Sequence, residues 1–313
     1  MTIGGAALVL IGADKLTDGA VDLARRFGIS EMVIGLTIVA FGTSLPEFVV
    51  SLMACFNNSP AMSIGNIVGS NIFNTLMITG ATAIVLPITV APTTTQRDIP
   101  LCLLASLAFA ALTLDPIFGQ SGSEAMLTRG DGVVLLCFFI IFMAYTFSMA
   151  RPSAAGQESE NTSQPTLSGI AVTLYIVLGL AGLIAGGEFF VRGASGIARA
   201  CGVSDAVIGL TLVAGGTSLP ELATSIIAAR KGQSGLAIGN VIGSNLFNIF
   251  WILGACSLVR PLPAEGITWV DLSMLVAASV VFWLFAFTDR RIARWEGFVL
   301  VTMFASYMIW LMR

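Results

Sequence analysis

The hexapeptide GTSLPE at residues 42–47 recurs unchanged at residues 216–221, and this repetition decides how the chain folds. With a constant shift of 174 positions and no gap, residues 28–74 overlay residues 202–248, and 25 of the 47 aligned positions are identical. Identity at this level over one fixed shift indicates that the chain arose by internal duplication. The two copies of each motif are therefore expected to occupy equivalent places in the two halves of the molecule.

The composition around the repeat is that of a membrane protein. Of 313 residues, 56% are apolar and only 11% are charged, and the mean hydropathy is +0.91. A membrane-spanning helix needs about 20 apolar residues, and windows of that length predict an all-α polytopic membrane protein with ten transmembrane helices. The predicted spans cover residues 2–16, 32–56, 61–90, 99–114, 132–150, 167–190, 204–229, 235–259, 268–287 and 295–312.

The repeat and the span count together predict an inverted arrangement. The two copies lie five spans apart, and because five is odd, the second copy must cross the membrane in the opposite direction. We expect a first five-helix repeat at residues 1–150, a cytoplasmic linker at residues 151–166 and a second, inverted five-helix repeat at residues 167–313. Inverted repeats are typical of secondary transporters, whose substrate site lies near the middle of the membrane where the repeats meet.

Loop charges predict the orientation. Ten of the 15 Lys and Arg residues lie in the odd-numbered connections between spans, and the positive-inside rule assigns that side to the cytoplasm. The chain is thus predicted to be a multi-pass inner (plasma) membrane protein with both termini outside. The linker is rich in Ser, Gln, Glu, Pro and Gly, which is typical of a flexible tether.

Composition also argues against several classes of function. The chain contains no histidine, which excludes a Ser-His-Asp or Cys-His catalytic site and any histidine-ligated metal. The basic residues are scattered, which argues against nucleic acid as a partner. The five cysteines lack C-x-x-C spacing and are interpreted as packing residues. We therefore expect a protein that is not an enzyme, with no cofactor and with membrane lipid rather than another protein around it.

Two acidic residues are predicted to lie deep in the membrane. Glu47 stands nine residues before Phe56, and Glu221 nine residues before Arg230, so each is about 14 Å from a membrane face at ~1.5 Å per residue. A charge at that depth costs ~3 kcal/mol even on insertion-based scales, and a bound cation is the simplest compensation. The alternative is a neutral Glu that only hydrogen-bonds neighbouring helices, but two symmetry-related Glu residues make that alternative the weaker one.

Oxygen-bearing residues accompany each Glu. Intervals of three and four positions assign to one helix face Ala40, Thr43, Ser44, Glu47 and Ser51, and to its equivalent Ala214, Thr217, Ser218, Glu221 and Ser225. The proline before each Glu has no N–H to donate, and its ring opens the preceding turn. We therefore expect main-chain carbonyl oxygens to be freed just before both Glu residues.

The next helix of each half carries polar residues every four positions. These candidate ligands are Asn66, Ser70 and Asn74 in the first half and Asn240, Ser244 and Asn248 in the second. Gly65 and Gly69, like Gly239 and Gly243, have the G-x-x-x-G spacing that lets two helix backbones approach closely. Asn71 and Asn245 point away from the polar stripes, and we assign structural hydrogen bonds to them.

The predicted ligand atoms are all oxygens, from carboxylates, carbonyls, hydroxyls and amides. Hard cations prefer such a set, and calcium takes six to eight oxygens at roughly 2.3 to 2.6 Å. Two carboxylates neutralise one Ca2+ ion and nearly balance two or three Na+ ions, so the same oxygens can hold either load in turn. Charge alone therefore favours ion exchange.

The paired GTSLPE and GNxxGSN motifs resemble those of the sodium/calcium exchanger family, specifically its compact prokaryotic members, over nearly the whole chain. The resemblance implies exchange of Ca2+ for Na+ by alternating access, with the first and sixth helices sliding across the other eight. It implies a calcium site formed by Glu47 and Glu221 with the main-chain oxygens of Thr43 and Thr217. It also implies flanking sodium sites that use Ser44, Ser218, Ser70, Ser244 and the carbonyls of Ala40 and Ala214.

One position departs from this pattern. Relatives often carry Asp at position 248, whereas this chain has Asn248, matching Asn74 in the first half. With one carboxylate fewer, the coupling ion stays open, and an H+-coupled exchanger of Ca2+ or another divalent cation is the alternative, with K+ as a further candidate ion. A passive cation channel is a third hypothesis. Asp14 and Glu188 also correspond under the shift, and we interpret them as interfacial anchors.

Overall fold

The structure, a computed structural model, describes residues 1–113, 125–150, 166–202 and 215–312, and these residues are mostly helical. Residues 204–214, the first part of the seventh predicted span, lie outside the described residues. The helices are α1 (Thr2–Phe27), α2 (Glu31–Thr43), α3 (Leu45–Phe56), α4 (Ala61–Val85), α5 (Ile99–Thr113), α6 (Arg129–Met149), α7 (Gly169–Ala200), α8 (Leu219–Arg230), α9 (Ser234–Val259), α10 (Trp269–Phe287) and α11 (Arg294–Leu311).

Among the residues that the structure describes, a helix overlaps each of the ten predicted spans. In the described part of the chain, five helices are by themselves long and apolar enough to cross a membrane, namely α4, α6, α7, α9 and α10. The pair α2 and α3 passes the same test together and is bent by 45° at the break between them, which makes a sixth candidate. The protein is therefore a multi-pass membrane protein.

Helices α1 and α7 are longer than the hydropathy of the sequence predicts. The predicted first span ends at residue 16 and the sixth at residue 190, whereas the helices continue to Phe27 and Ala200. A hydropathy window stops at charged residues, but here such residues find partners. Asp22 is only 2% exposed, and its carboxylate accepts hydrogen bonds from the backbone N–H and the hydroxyl of Thr166 at 2.7 and 3.1 Å.

Glycines bring α1 and α7 into backbone contact. They recur every seventh residue on both helices, at Gly5, Gly12 and Gly19 and at Gly179, Gly186 and Gly193. A Cβ atom added to Gly12 would lie 2.8 Å from the carbonyl oxygen of Gly179, and one added to Gly186 would lie 2.7 Å from the amide nitrogen of Val9. Small residues at such spacing allow membrane helices to approach this closely, so the two long helices pack as one unit.

Helix α9 is largely buried and packs against α2. A Cβ on Gly239 would lie 2.7 Å from the Met32 carbonyl oxygen, and one on Gly243 would lie 2.6 Å from the Ala40 side chain. The close approach predicted for this G-x-x-x-G pair is therefore confirmed. Gly65 and Gly69 have nothing within 4 Å among the described residues, and the segment equivalent to α2 in the second half falls largely outside them.

Two short antiparallel ribbons, which the all-α prediction missed, tie the halves together. Strand β1 (Ile88–Thr89) pairs with β4 (Arg291–Ile292), and β2 (Met126–Leu127) pairs with β3 (Leu262–Pro263). Proline causes the switch from helix to strand, because the residue before a proline is pushed to extended backbone. Leu86 and Arg260, which each precede a proline at the end of α4 or α9, have φ −147° and φ −151°.

Candidate functional site

The first half interrupts a helix just before Glu47, and a helix of the second half starts just before Glu221. Helix α2 ends at Thr43 and α3 starts at Leu45, with Ser44 between them at φ −83° and ψ 5°. Ser218 has nearly the same backbone, φ −91° and ψ 9°, immediately before α8. The break predicted from the proline is therefore confirmed in the first half, whereas residues 203–214 of the second half lie outside the described residues. Glu47 and Glu221 lie in the first turn of α3 and α8.

The two Glu residues are brought together by hydrogen bonds that cross between the halves. The Ser44 hydroxyl donates to Oε1 of Glu221 at 3.0 Å, and the Ser218 hydroxyl donates to Oε1 of Glu47 at 2.8 Å. Glu47 is 1% exposed and Glu221 is 0% exposed. Each half thus supplies one carboxylate and the hydroxyl that holds the other carboxylate, so neither half contains the complete arrangement.

Asparagines of α4 and α9 fix the backbone that carries each carboxylate. The side-chain amide of Asn66 donates to the Glu47 carbonyl at 3.3 Å and to the Ser51 hydroxyl at 3.0 Å. Asn240 donates to the Glu221 carbonyl at 3.3 Å and to the Ser225 hydroxyl at 3.0 Å. Both asparagines therefore turn their NH2 groups to the Glu-bearing helices, where the sequence had suggested amide oxygens as ligands.

Asn74 and Asn248 lie where α4 and α9 widen into π-helical turns, at Phe73–Ile78 and Phe247–Leu253. Such turns are rare in proteins as a whole, but those that occur are frequently found at functional sites. The amide of Asn74 donates to Oδ1 of Asn245 at 3.2 Å, and that of Asn248 donates to Oδ1 of Asn71 at 2.9 Å. The NH2 group of each asparagine is therefore hydrogen-bonded within the protein, and its Oδ1 has no partner in the described structure.

Five buried oxygens of the predicted ligand set have no hydrogen-bond partner in the described structure. They are Oε2 of Glu47, Oε2 of Glu221, Oγ of Ser70, Oδ1 of Asn74 and Oδ1 of Asn248. Leaving a buried polar atom unpaired costs about 1–3 kcal/mol, and more for a charged group. Four of the five atoms form two pairs related by the 174-residue shift, and acceptors left over in this way suit a desolvated cation.

The remaining predicted ligands differ in how directly they join the site. Ser244 reaches Oε1 of Glu221 at 3.5 Å. The Thr43 hydroxyl donates to Oδ1 of Asn240 at 3.1 Å, while Ala40 is fully buried and its carbonyl accepts from the Ser44 amide at 3.0 Å. Thr217 lies half-buried in the turn that precedes Ser218. Ala214 is outside the described residues, so its predicted carbonyl ligand stays a prediction.

The electrostatics of the site rest on two carboxylates. Within the described ranges, no group of three or more Asp, Glu, Cys or His side chains is placed to hold a metal ion. Neutral hydroxyl, amide and main-chain oxygens would have to complete any coordination sphere around Glu47 and Glu221. Flexible spheres built mostly of neutral oxygens suit large hard cations better than zinc or other soft metals.

The structural hydrogen bonds predicted for Asn71 and Asn245 are confirmed. Their spacing removes them from the polar stripe, so the sequence did not predict which residues these hydrogen bonds reach. In the structure, their side-chain oxygens contact the predicted ligands Asn248 and Asn74 directly.

Comparison with known proteins shows the family of this chain, and that family is consistent with an oxygen-rich site for hard cations. The sequence profile of the sodium/calcium exchanger protein family matches residues 1–148 and 171–313. The chain belongs to the sodium/calcium exchanger family. Sodium/calcium exchanger MaX1 of Methanosarcina acetivorans is 33% identical to this family member over 334 residues, which cover 97% of this chain and 95% of MaX1.

Two further relatives of this exchanger-family chain are of similar length. The inner membrane protein YrbG of Escherichia coli is 35% identical over 319 residues, covering 99% of this chain and 94% of YrbG. A solved structure of the sodium-calcium exchanger NCX_Mj, soaked with zero Na+ and Ca2+, matches with a TM-score of 0.84 and 36% identity. That match covers 99% of this chain and 97% of NCX_Mj, so the fold is that of this membrane transporter.

Proposed function

We propose that the protein is a secondary active antiporter that exchanges Ca2+ for Na+ by alternating access, and that it is not an enzyme. The observation that carries the proposal is the crossed pair of hydrogen bonds, Ser44 to Glu221 and Ser218 to Glu47. It joins one buried carboxylate from each half into a shared site whose second carboxylate oxygens have no partner in the described part of the protein. Family membership supports the same function.

The ion ligands are proposed to come from both halves. The calcium site uses the carboxylates of Glu47 and Glu221 with main-chain oxygens of Thr43 and Thr217. Flanking sodium ions use the serines and asparagines of the site together with two alanine carbonyls, namely Ser44, Ser218, Ser70, Ser244, Asn74, Asn248, Ala40 and Ala214. Two negative charges balance one Ca2+ ion or most of the charge of two or three Na+ ions, which is the physical basis of exchange.

The two halves are proposed to be inverted five-helix repeats, residues 1–150 and 167–313, that meet at this site near the middle of the membrane. Reciprocal contacts support this arrangement: exchanging equivalent residues converts the Ser44–Glu221 bond into the Ser218–Glu47 bond. Asn66 and Asn240 repeat the same two donations at the same distances. A two-fold relation between the halves accounts for such reciprocity.

Alternating access is proposed to occur by movement of α1 and α7 together across the other helices. Their backbone contact along the glycine rows supports movement as one unit. At one end, the ammonium group of Lys231 joins α1 to the end of α8, since Nζ lies 2.6 Å from carboxylate oxygens of Asp14 and Asp18. Asp14 therefore has an ion-pair partner in addition to its predicted interfacial position.

The localisation proposed from the loop charges is the inner (plasma) membrane, with both termini outside and residues 151–166 in the cytoplasm. Ca2+ would then leave the cytoplasm against inward Na+. Membrane lipid surrounds the protein, and Ca2+ and Na+ are its substrates. The name of the relative YrbG, an inner membrane protein of Escherichia coli, is consistent with this location.

The experiment is Ca2+ flux in vesicles reconstituted with the purified protein, with Na+, K+ and pH gradients imposed separately. Saturable Ca2+ uptake driven by a Na+ gradient is expected. Flux that ignores Na+ and follows the pH gradient would replace the proposal by H+-coupled exchange, and neutral Asn248 is the feature that favours this second candidate. Conduction without any counter-ion would indicate a channel instead.

A further inference from the structure

Four buried asparagines form a hydrogen-bonded chain between α4 and α9. The amide of Asn71 donates to the main-chain carbonyl of Asn245 at 3.2 Å, and Oδ1 of Asn71 accepts from Asn248 at 2.9 Å. On the mirrored side, the amide of Asn245 donates to the Thr75 hydroxyl at 2.8 Å, and its Oδ1 accepts from Asn74 at 3.2 Å. The chain therefore ends at two members of the predicted ligand set.

The chain has two arms, one that joins Asn71 to Asn248 and one that joins Asn245 to Asn74. A main-chain carbonyl fixes which side-chain atoms donate and which accept in the first arm. A carbonyl oxygen can only accept hydrogen bonds, so Asn71 must turn its NH2 group toward the Asn245 carbonyl. Its Oδ1 is then left facing Asn248, and because that oxygen also can only accept, Asn248 must present its own NH2 group. The oxygen of Asn248 consequently points away from Asn71 and has no partner among the described residues.

The second arm has the same outcome with a different anchor. Asn245 donates to the hydroxyl of Thr75, whereas the residue equivalent to Thr75 in the second half is Ile249. Oδ1 of Asn245 accepts from Asn74, whose own Oδ1 is again buried without a partner in the described structure. Each arm therefore ends in one neutral amide oxygen, Oδ1 of Asn248 or Oδ1 of Asn74, that has no partner in the described structure.

We propose that Asn71 and Asn245 are positioning residues that turn the side-chain oxygens of Asn248 and Asn74 into the ion site. The inference rests on the proposed function and deepens it, since it adds residues that act on the ions only through other residues.

A double-mutant cycle on purified full-length protein in lipid nanodiscs tests the inference, with Ca2+ and Na+ binding measured by calorimetry. Asn71→Leu is expected to weaken the affinity for at least one ion by about tenfold to a hundredfold, the usual effect of removing a residue that orients a metal ligand. In an Asn248→Ala background, Asn71→Leu should have almost no further effect, because its target oxygen is already gone. A purely structural role would give additive losses.

Ser106→Ala is the matched control, because its hydroxyl lies 3.4 Å from that of Ser279 in a buried contact elsewhere in the molecule, and ion affinity should stay unchanged. If Asn71→Leu does not fold, the mirrored cycle of Asn245→Leu with Asn74→Ala decides in the same way. Unchanged affinity in a folded Asn71→Leu variant, or additive losses in the cycle, would overturn the inference alone. Wild-type protein that binds neither ion would overturn the proposed function as well.

Discussion

The hydroxyl of Ser218 donates a hydrogen bond to the carboxylate of Glu47 at 2.8 Å, although 171 positions separate the two residues in the chain. Ser44 and Glu221 form the equivalent contact at 3.0 Å. Because each carboxylate is held by the half to which it does not belong, a change in either half should disturb the whole site. This coupling of the halves underlies the first two predictions.

Replacing either buried carboxylate by its amide should abolish Ca2+-dependent exchange. Glu47→Gln and Glu221→Gln each remove one of two negative charges from the site while keeping nearly the same volume. Ca2+ then meets a single charge, and the new NH2 group adds a donor where the cation needs an acceptor. Ca2+ flux into vesicles measures the effect, and the variants should remain folded in the membrane, as gel filtration can check.

Glu188→Gln is the control for both changes, because the Glu188 side chain is 56% exposed and pairs with Arg192 on the surface of α7. Its flux should equal that of the wild type. Normal Ca2+ flux from either Glu47→Gln or Glu221→Gln would contradict the assignment of the ion site.

Loss of a crossing hydroxyl should weaken ion binding without abolishing it. Hydrogen bonds to charged groups contribute ~1.5–3 kcal/mol, and the carboxylate that loses one must be reoriented by the ion itself. Ser44→Ala and Ser218→Ala are each expected to reduce Ca2+ affinity by about tenfold, equivalent to ~1.4 kcal/mol. Calorimetric titration of the purified variants gives these values.

Ser218→Thr keeps a hydroxyl at the same position and should restore much of the affinity lost in Ser218→Ala. Both alanine variants should also behave alike, since the two contacts are equivalent. A Ser218→Ala variant that binds Ca2+ as tightly as the wild type would show that this hydrogen bond does not shape the ion site.

The sequence predicted the buried Glu residues and the helix break beside them better than it predicted the ends of the long helices. The unchanged GTSLPE repeat predicted that Glu47 and Glu221 are buried and that a helix breaks before Glu47, because proline chemistry and the burial cost of charge are local effects that a sequence exposes. The crossed serine contacts could not be predicted from it. They depend on how two segments 171 or more positions apart meet, and no spacing rule within one helix contains that information.

The errors also have identifiable physical causes. Hydropathy ended the first span at residue 16, because it counts Asp22 as a solvated charge, whereas Asp22 is buried and satisfied by Thr166. The short strands after α4 and α9 lie in segments too short to give a period-two pattern. The direction of an amide such as that of Asn66 depends on partners in another helix, so only the three-dimensional structure identifies which side donates.

Introducing a carboxylate at position 248 should change how the protein discriminates between ions. In Asn248→Asp, an ionised side chain would face Oδ1 of Asn71 without a hydrogen to share, whereas a protonated one could still donate to it. Competition between Na+ and Ca2+ is therefore expected to depend more steeply on pH than in the wild type. Ca2+ binding titrated with Na+ at a series of pH values measures this dependence.

At low pH, where the new side chain carries its proton, Asn248→Asp should approach wild-type behaviour. As the pH rises, the third negative charge should favour Ca2+ over Na+, since the divalent ion gains more from each added charge. Ion competition and pH dependence that both match the wild type would remove position 248 from the site.

A methyl group between α1 and α7 should impair both stability and transport. The Cβ of Gly12→Ala would lie 2.8 Å from the Gly179 carbonyl oxygen and 2.8 Å from the Leu183 amide nitrogen, and since both are backbone atoms, the helices must separate. Overpacking of this kind costs ~1–3 kcal/mol, so the unfolding temperature of the purified protein should fall and Ca2+ flux should decrease. Gly196→Ala is the matched control, because a Cβ at this position of α7 has nothing within 4 Å in the described structure. Alanine is the better helix former by ~1 kcal/mol, so this variant should be as stable as the wild type or slightly more stable, with normal flux. If Gly12→Ala and Gly196→Ala were indistinguishable in both measurements, the glycine rows would not be the contact that holds α1 and α7 together.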